Sequence, residues 1–107
     1  MAEIFEESAE NNTLAFSIEH HLEHKRFEVN VEGLRAILEY MKVGDTLIFT
    51  HTEVPEKLEG KGIGGALAKT ALEYVTNQNL SAAALCPFVK AYLQRHPEYH
   101  SLIRMGG

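Results

Sequence analysis

Four glycines fall within the six residues Gly60-Lys61-Gly62-Ile63-Gly64-Gly65, and the hydrophobic period changes across them. That change limits the folds open to the chain. Upstream, apolar residues alternate with polar ones. Leu14, Phe16 and Ile18 are interleaved with Ala15, Ser17 and Glu19, and Phe27, Val29 and Val31 with Arg26, Glu28, Asn30 and Glu32. A period of two belongs to a half-buried strand. Residues 34–42 fit a strand through Leu34, Ala36, Leu38 and Tyr40, although the same residue types tolerate a helix. The turn at Gly44-Asp45, which leads into the β-prone run Thr46–Thr52, favours the strand. The result is an antiparallel meander of four strands.

Downstream the period is that of a helix. Ile63, Leu67, Ala71, Tyr74 and Val75 share one face over about residues 63–78. Ser81–Leu85 is a short apolar strand. Pro87 suits the first turn of a second helix with Phe88, Ala91 and Tyr92 inside, and Pro97 ends it. A helix between two strands makes a crossover, so the fifth strand is expected parallel to the fourth, with a right-handed connection. The class is α+β, a mixed sheet with two helices. The chain has 107 residues, 45% of them hydrophobic, which fits one core and one domain. Residues 1–12 carry Glu3, Glu6, Glu7 and Glu10 without a base and read as a flexible acidic tail, leaving 13–107 as the domain.

Charge and cysteine usage narrow the function. Net charge is −5, a poor basis for binding nucleic acid or an anionic membrane, and compatible with a cationic partner such as an amine. No apolar run is long enough to span a bilayer. With Cys86 as the single cysteine, an internal disulfide is impossible and a cytoplasmic location is expected. The tail has neither the basic start nor the apolar stretch of a signal peptide. Nothing in the sequence fixes the oligomeric state, and a monomer is compatible with it.

A strand, a glycine-rich turn and a helix together make an anion site. Glycine lets the backbone approach a ligand, and amide N–H groups converge at the positive end of the helix dipole. The Walker pattern is absent, since no Gly-Lys-Ser/Thr occurs. The dinucleotide pattern G-x-G-x-x-G is met by Gly60, Gly62 and Gly65, but the acidic residue expected about 20 positions later is missing, where the chain reads Ser81-Ala82-Ala83-Ala84. The remaining chain is also too short for a doubly wound sheet.

A third pattern, [Arg/Gln]-x-x-Gly-x-[Gly/Ala], aligns with Glu59-Gly60-Lys61-Gly62-Ile63-Gly64. Around it stand His51-Thr52-Glu53-Val54-Pro55, Cys86-Pro87-Phe88 and Arg95-His96-Pro97-Glu98-Tyr99. This combination resembles the small single-domain acetyltransferase-like proteins of the YjdJ type, the minimal branch of the GNAT superfamily, over about residues 14–103. The resemblance implies a reduced GNAT fold: a four-strand meander, glycine turn, crossover helix, parallel fifth strand and C-terminal helix. It implies acetyl-CoA as co-substrate, held by Glu59, Gly60, Lys61, Gly62, Ile63, Gly64 and Gly65. It also makes His51 and Cys86 the candidate catalytic pair. The departure is Glu59, where the pattern has Arg or Gln. A solvated carboxylate close to the anion opposes it by about 1 kcal/mol, and Lys61 offsets part of that.

The candidate catalytic residues follow. His51, expected on the face of Leu47 and Phe49, is a general base for an ammonium substrate. Cys86 ends the last strand at the same sheet end, where ligands of open α/β sheets bind; it either lines the pocket or takes the acetyl group first, with His51 as the group that removes its proton. Tyr92 falls where many GNAT enzymes place the tyrosine that protonates the leaving thiolate, with core packing as its other reading. Lys90 and Arg95 are candidates to meet CoA phosphates, with ordinary solvated surface as the preferred reading of each. His20, His21 and His24, like His96 and His100, lack the supporting ligands of a zinc site, so no metal is expected. Two functions remain: acetyl transfer from acetyl-CoA to a primary amine, on a protein or a small molecule, and a non-catalytic CoA or acyl-CoA-binding module.

Overall fold

The computed structural model of the chain describes residues 2–6 and 15–103. They form one six-stranded sheet whose strands lie side by side in chain order: β1 (Ala2–Glu6), β2 (Ala15–His21), β3 (Arg26–Val31), β4 (Leu34–Val43), β5 (Thr46–Glu53) and β6 (Ser81–Ala84). The pairs from β1 to β5 are antiparallel, and β6 runs parallel to β5. Helix α1 (Ile63–Asn77) crosses between β5 and β6, and α2 (Pro87–Arg95) follows β6. The four-strand meander and parallel fifth strand read from the sequence are β2–β6, as expected.

Two features differ from the sequence reading. Ala2–Glu6 is not part of a loose tail but pairs antiparallel with β2, Ile4 opposite Ser17. The physical reason is that the outer edge of β2 carries unpaired N–H and C=O groups, and a nearby β-prone segment satisfies them. Leu14, residues 7–12 of the expected tail and residues 104–107 lie outside the described residues. Pro97 ends α2 as expected, but the chain goes on as a 3-10 turn, Pro97–Leu102, and Ile103 then bridges Ala82 in β6.

Both helices belong to one face of the sheet. The inward residues Ile18, Phe27, Val29, Leu38 and Phe49 form a single buried cluster with Leu67, Ala71 and Val75 of α1 and Val89 and Leu93 of α2. His20, which alternation also points inward, stacks on Phe27 at 4.0 Å between ring centroids, with the Tyr74 edge at 4.5 Å. Its Nε2 lies 2.7 Å from the Tyr40 hydroxyl. Burial holds the imidazole at a pKa of about 4 and, with Tyr74 nearby, pushes the Tyr40 phenol up to about 12, so the pair is neutral at physiological pH.

The other face carries no helix among the described residues. Ile37 on this face is buried yet lies outside the main cluster. Beside it, Glu28 accepts hydrogen bonds from Arg26 Nε at 2.9 Å and Asn30 Nδ2 at 2.8 Å. Burial alone would raise the Glu28 pKa; the bonds from Asn30 and Arg26 and the Arg26 charge outweigh it and hold the carboxyl below its ordinary value.

A depressed carboxyl pKa contributes stability that is full above the ordinary carboxylate range and is lost as pH falls through the folded value. Glu28→Gln should therefore lower stability at pH 7 by about 1–2 kcal/mol, the scale of hydrogen bonds to a charged group. Denaturant titrations should show the gap from wild type closing below pH 4.5.

Candidate functional site

The glycine turn lies between β5 and α1. After β5 a 3-10 turn, Glu56–Leu58, brings the chain round, and Leu58 is buried beneath it. Gly60 and Gly62 then have φ of +81° and +78°. Both are left-handed values that L residues with a Cβ reach only with strain. Gly62 is the N-cap of α1, with no side-chain cap and no acidic residue in the first turn. The first backbone bond into the helix runs from Ala66 N–H to the Gly62 carbonyl, so the amides of Gly62 to Gly65 have no partner within the helix. The Glu59 N–H, by contrast, already donates to the Glu56 carbonyl at 3.1 Å.

Of the other two, Gly64 serves close packing, whereas Gly65 has room for a Cβ at ordinary contact distance. A Cβ on Gly64 would lie 2.9 Å from Phe88 Cζ, and one on Gly65 would lie 3.9 Å from Tyr92 Cε2. The start of α1 thus lies directly against α2. Phe88 then forms a wall of a cleft of about 560 Å³, with Thr52, Glu53 and Val54 from the end of β5, Leu58 and Glu59 below, and Gly60, Gly62, Gly64 and Gly65 along the turn. The cleft has an apolar floor, a row of uncapped amides and two carboxylates.

The placement of His51 departs from the sequence reading. In the β4–β5 ladder Glu39 pairs with His51 and Tyr40 with Phe49, so Thr50 is an extra residue. Its hydroxyl donates to the Glu39 carbonyl at 3.4 Å. A bulge of one residue reverses the alternation that follows it. His51 therefore leaves the face of Leu47 and Phe49. It stands exposed on the helix-free side, 3.4 Å from Glu53 Oε1. Thr52 takes the inward position, opposite Leu38, and its Oγ1 lies 3.0 Å from Cys86 Sγ. Cys86 is 3% exposed and caps α2 through its backbone. The structure thus pairs Cys86 with Thr52 and His51 with Glu53, not His51 with Cys86.

The remaining candidates sit around this centre. Tyr92 is buried behind Gly65, stacked on His96 at 3.9 Å, and burial followed by the Glu98 and Glu73 charges raises its pKa. Lys61 is half-buried at the turn, and Lys90 and Arg95 are exposed on α2. His96 and His100 donate to the Tyr92 and Leu93 carbonyls, each at 2.8 Å, and satisfy the C-terminal end of α2. Among the described residues no group of three or more His, Cys, Asp or Glu could hold a metal ion, and no helix is long and apolar enough to cross a membrane. Sequence reasoning missed Thr52, because nothing in Thr46–Thr52 announces the bulge. It also missed the role of Phe88 as a wall, which the small residue at Gly64 could have signalled.

Over residues 26–102 the chain matches the family model for the GCN5-related N-acetyl-transferase. The chain belongs to the GCN5-related N-acetyltransferase family. Among relatives, the protein named NATD1 from Mus musculus is 36% identical over 83 residues, covering 75% of this chain and 76% of that protein. NATD1 from Danio rerio is 32% identical over 102 residues, covering 87% and 93%. A GCN5-like protein from Staphylococcus aureus, solved by NMR in solution, superposes with a TM-score of 0.66 at 26% identity, covering 81% of this chain and 86% of that one. This member of the family is thus reduced to the sheet, the glycine turn and two helices over the residues described.

The two kinds of glycine separate experimentally. Gly62→Val should cost at least about 1–2 kcal/mol through its positive φ alone, whereas Gly62→Asn should cost less, because asparagine tolerates the left-handed region. Thermal unfolding of the two variants at equal pH checks the order.

Proposed function

We propose that the cleft binds acyl-CoA and that the protein transfers its acetyl group to a primary amine. One observation carries this reading: α1 opens onto the cleft with amides that no side chain caps. Four such N–H groups at a positive helix end suit a pyrophosphate. Gly60 and Lys61 shape the approach, and Lys61 adds positive charge. The apolar floor of Val54, Leu58 and Ile63 suits the less polar arm of the ligand.

The acceptor meets a solvent-open site. His51 is exposed on the helix-free side and bonded to Glu53, a residue at the edge of the cleft, so in this reading the imidazole takes the proton of an arriving ammonium round the open end of β5. Glu53 and Glu59 favour a cationic acceptor at the rim. Cys86 lies one hydrogen bond behind the cleft through Thr52. Tyr92 acts by packing, holding α1 at Gly65. The lone thiol suits the reducing cytosol.

A second reading, a module that binds CoA without turnover, is favoured by the separation of the exposed His51 from the buried Cys86. A coupled thiol-release assay with a panel of primary amines separates the two. Release that depends on the amine supports transfer; CoA binding without release supports the module.

In an amide-resolved titration with CoA, the signals of Gly62 to Gly65 should move most. Shifts confined to the histidines on the helix-free face would remove the central claim. Glu59→Gln should tighten CoA binding by up to about fivefold, the equivalent of about 1 kcal/mol for a close solvated charge. Added salt should shrink that gain.

A further inference from the structure

The bulge and the buried thiol point to Thr52, a residue the sequence pattern does not single out. Thr52 lines the cleft, whereas Cys86 is 3% exposed and stands behind it. Their side chains meet at 3.0 Å, and either atom has the chemistry to donate. A buried cysteine behaves as a small hydrophobe with a weak S–H donor, so its burial does not call for a hydroxyl beside it. Valine would fill the same space. The oxygen at this position therefore needs another reason, and Thr52 lines the cleft.

We propose that the Thr52 hydroxyl donates to the thioester sulfur of the bound acyl-CoA, and that Cys86 is the positioning residue that aims it. This rests on the acyl-CoA reading of the cleft. A hydroxyl has one proton and two lone pairs. When the Cys86 thiol donates to Thr52 Oγ1, the hydroxyl proton is left to point into the cleft. In the transfer, the amine nitrogen bonds to the thioester carbonyl carbon and the C–S bond breaks. The electron pair of that bond goes to the CoA sulfur. The surplus proton of the amine leaves through water or His51 and ends on that sulfur, giving an amide and a CoA thiol. Thr52 keeps its own proton throughout; its O–H stabilises the charge that builds on sulfur as the bond breaks. Cys86 forms no bond to the acetyl group.

The test has a binding arm and a kinetic arm. Protein labelled at threonine methyl groups is titrated with acetyl-CoA and with desulfo-CoA, which lacks the sulfur. The amides of Gly62 to Gly65 should respond to both ligands and the Thr52 methyl only to acetyl-CoA. Equal Thr52 responses, or none while the turn amides respond, overturn this inference alone; silence of the turn amides overturns the acyl-CoA reading and this inference with it. In the kinetic arm, Thr52→Val should lower kcat about tenfold or more with KM within about twofold, since the lost donor acts in the transition state. Thr52→Ser should stay within about threefold of wild type, and Cys86→Ser should recover the rate lost in Cys86→Ala. Wild-type kcat in Thr52→Val, or an acetyl adduct on Cys86 by intact mass after acid quench, overturns the inference.

Discussion

The inner face of the sheet presents Ile18, Phe27, Val29, Leu38 and Phe49 to a layer made of only two helices. Burying that face is the requirement on which the rest depends. A strip of apolar side chains this wide has to be removed from water, and in so short a chain α1 and α2 do nearly all of it. Helix α1 must therefore run back across the sheet before β6 can pair. The chain between β5 and α1 makes the 3-10 turn Glu56–Leu58 and enters the helix through Gly62, which has no side chain to cap it. The amides at Gly62 to Gly65 are left uncapped for that reason, and the cleft forms where the sheet end, the turn and α2 converge.

The bulge at Thr50 acts on a smaller scale with equal consequence. One residue too many in β5 exchanges the faces of everything from His51 onward. Without it a histidine would meet the thiol on the packed side, and a threonine would face water. With it the imidazole is in water beside Glu53, and a hydroxyl meets Cys86. The sheet ladder therefore decides which chemical groups meet, ahead of any interaction between those groups themselves.

Much of the fold is legible in the sequence because it rests on period and punctuation. The alternation over Phe27–Val31, the helical spacing from Ile63 to Val75 and the prolines at 87 and 97 each reflect local backbone geometry, and each element stands where they indicate. The pairing of Ala2–Glu6 is not legible in this way, since an edge strand is chosen by the free edge of its neighbour. In the candidate site, the glycine turn is legible because positive φ restricts the residue type at Gly60 and Gly62. The side-chain partners are not. Alternation counts residues evenly, and a bulge breaks the count without a mark in Thr46–Thr52. Likewise the histidines at 20 and 21 look alike in sequence, but one stacks half-buried on Phe27 of the core and the other bonds Glu19 outside.

The contact between Gly64 and Phe88 has a consequence for how such a chain can vary. The ring occupies the volume that any side chain at 64 would need, so the two positions can drift only in step: a methyl gained on one helix requires a smaller or displaced ring on the other. The same ring bounds the cleft. A change that repairs the packing between the helices therefore also reshapes the space offered to a ligand. At this one junction, selection for a stable core and selection for a particular guest act on the same pair of residues, and neither can be relaxed without the other.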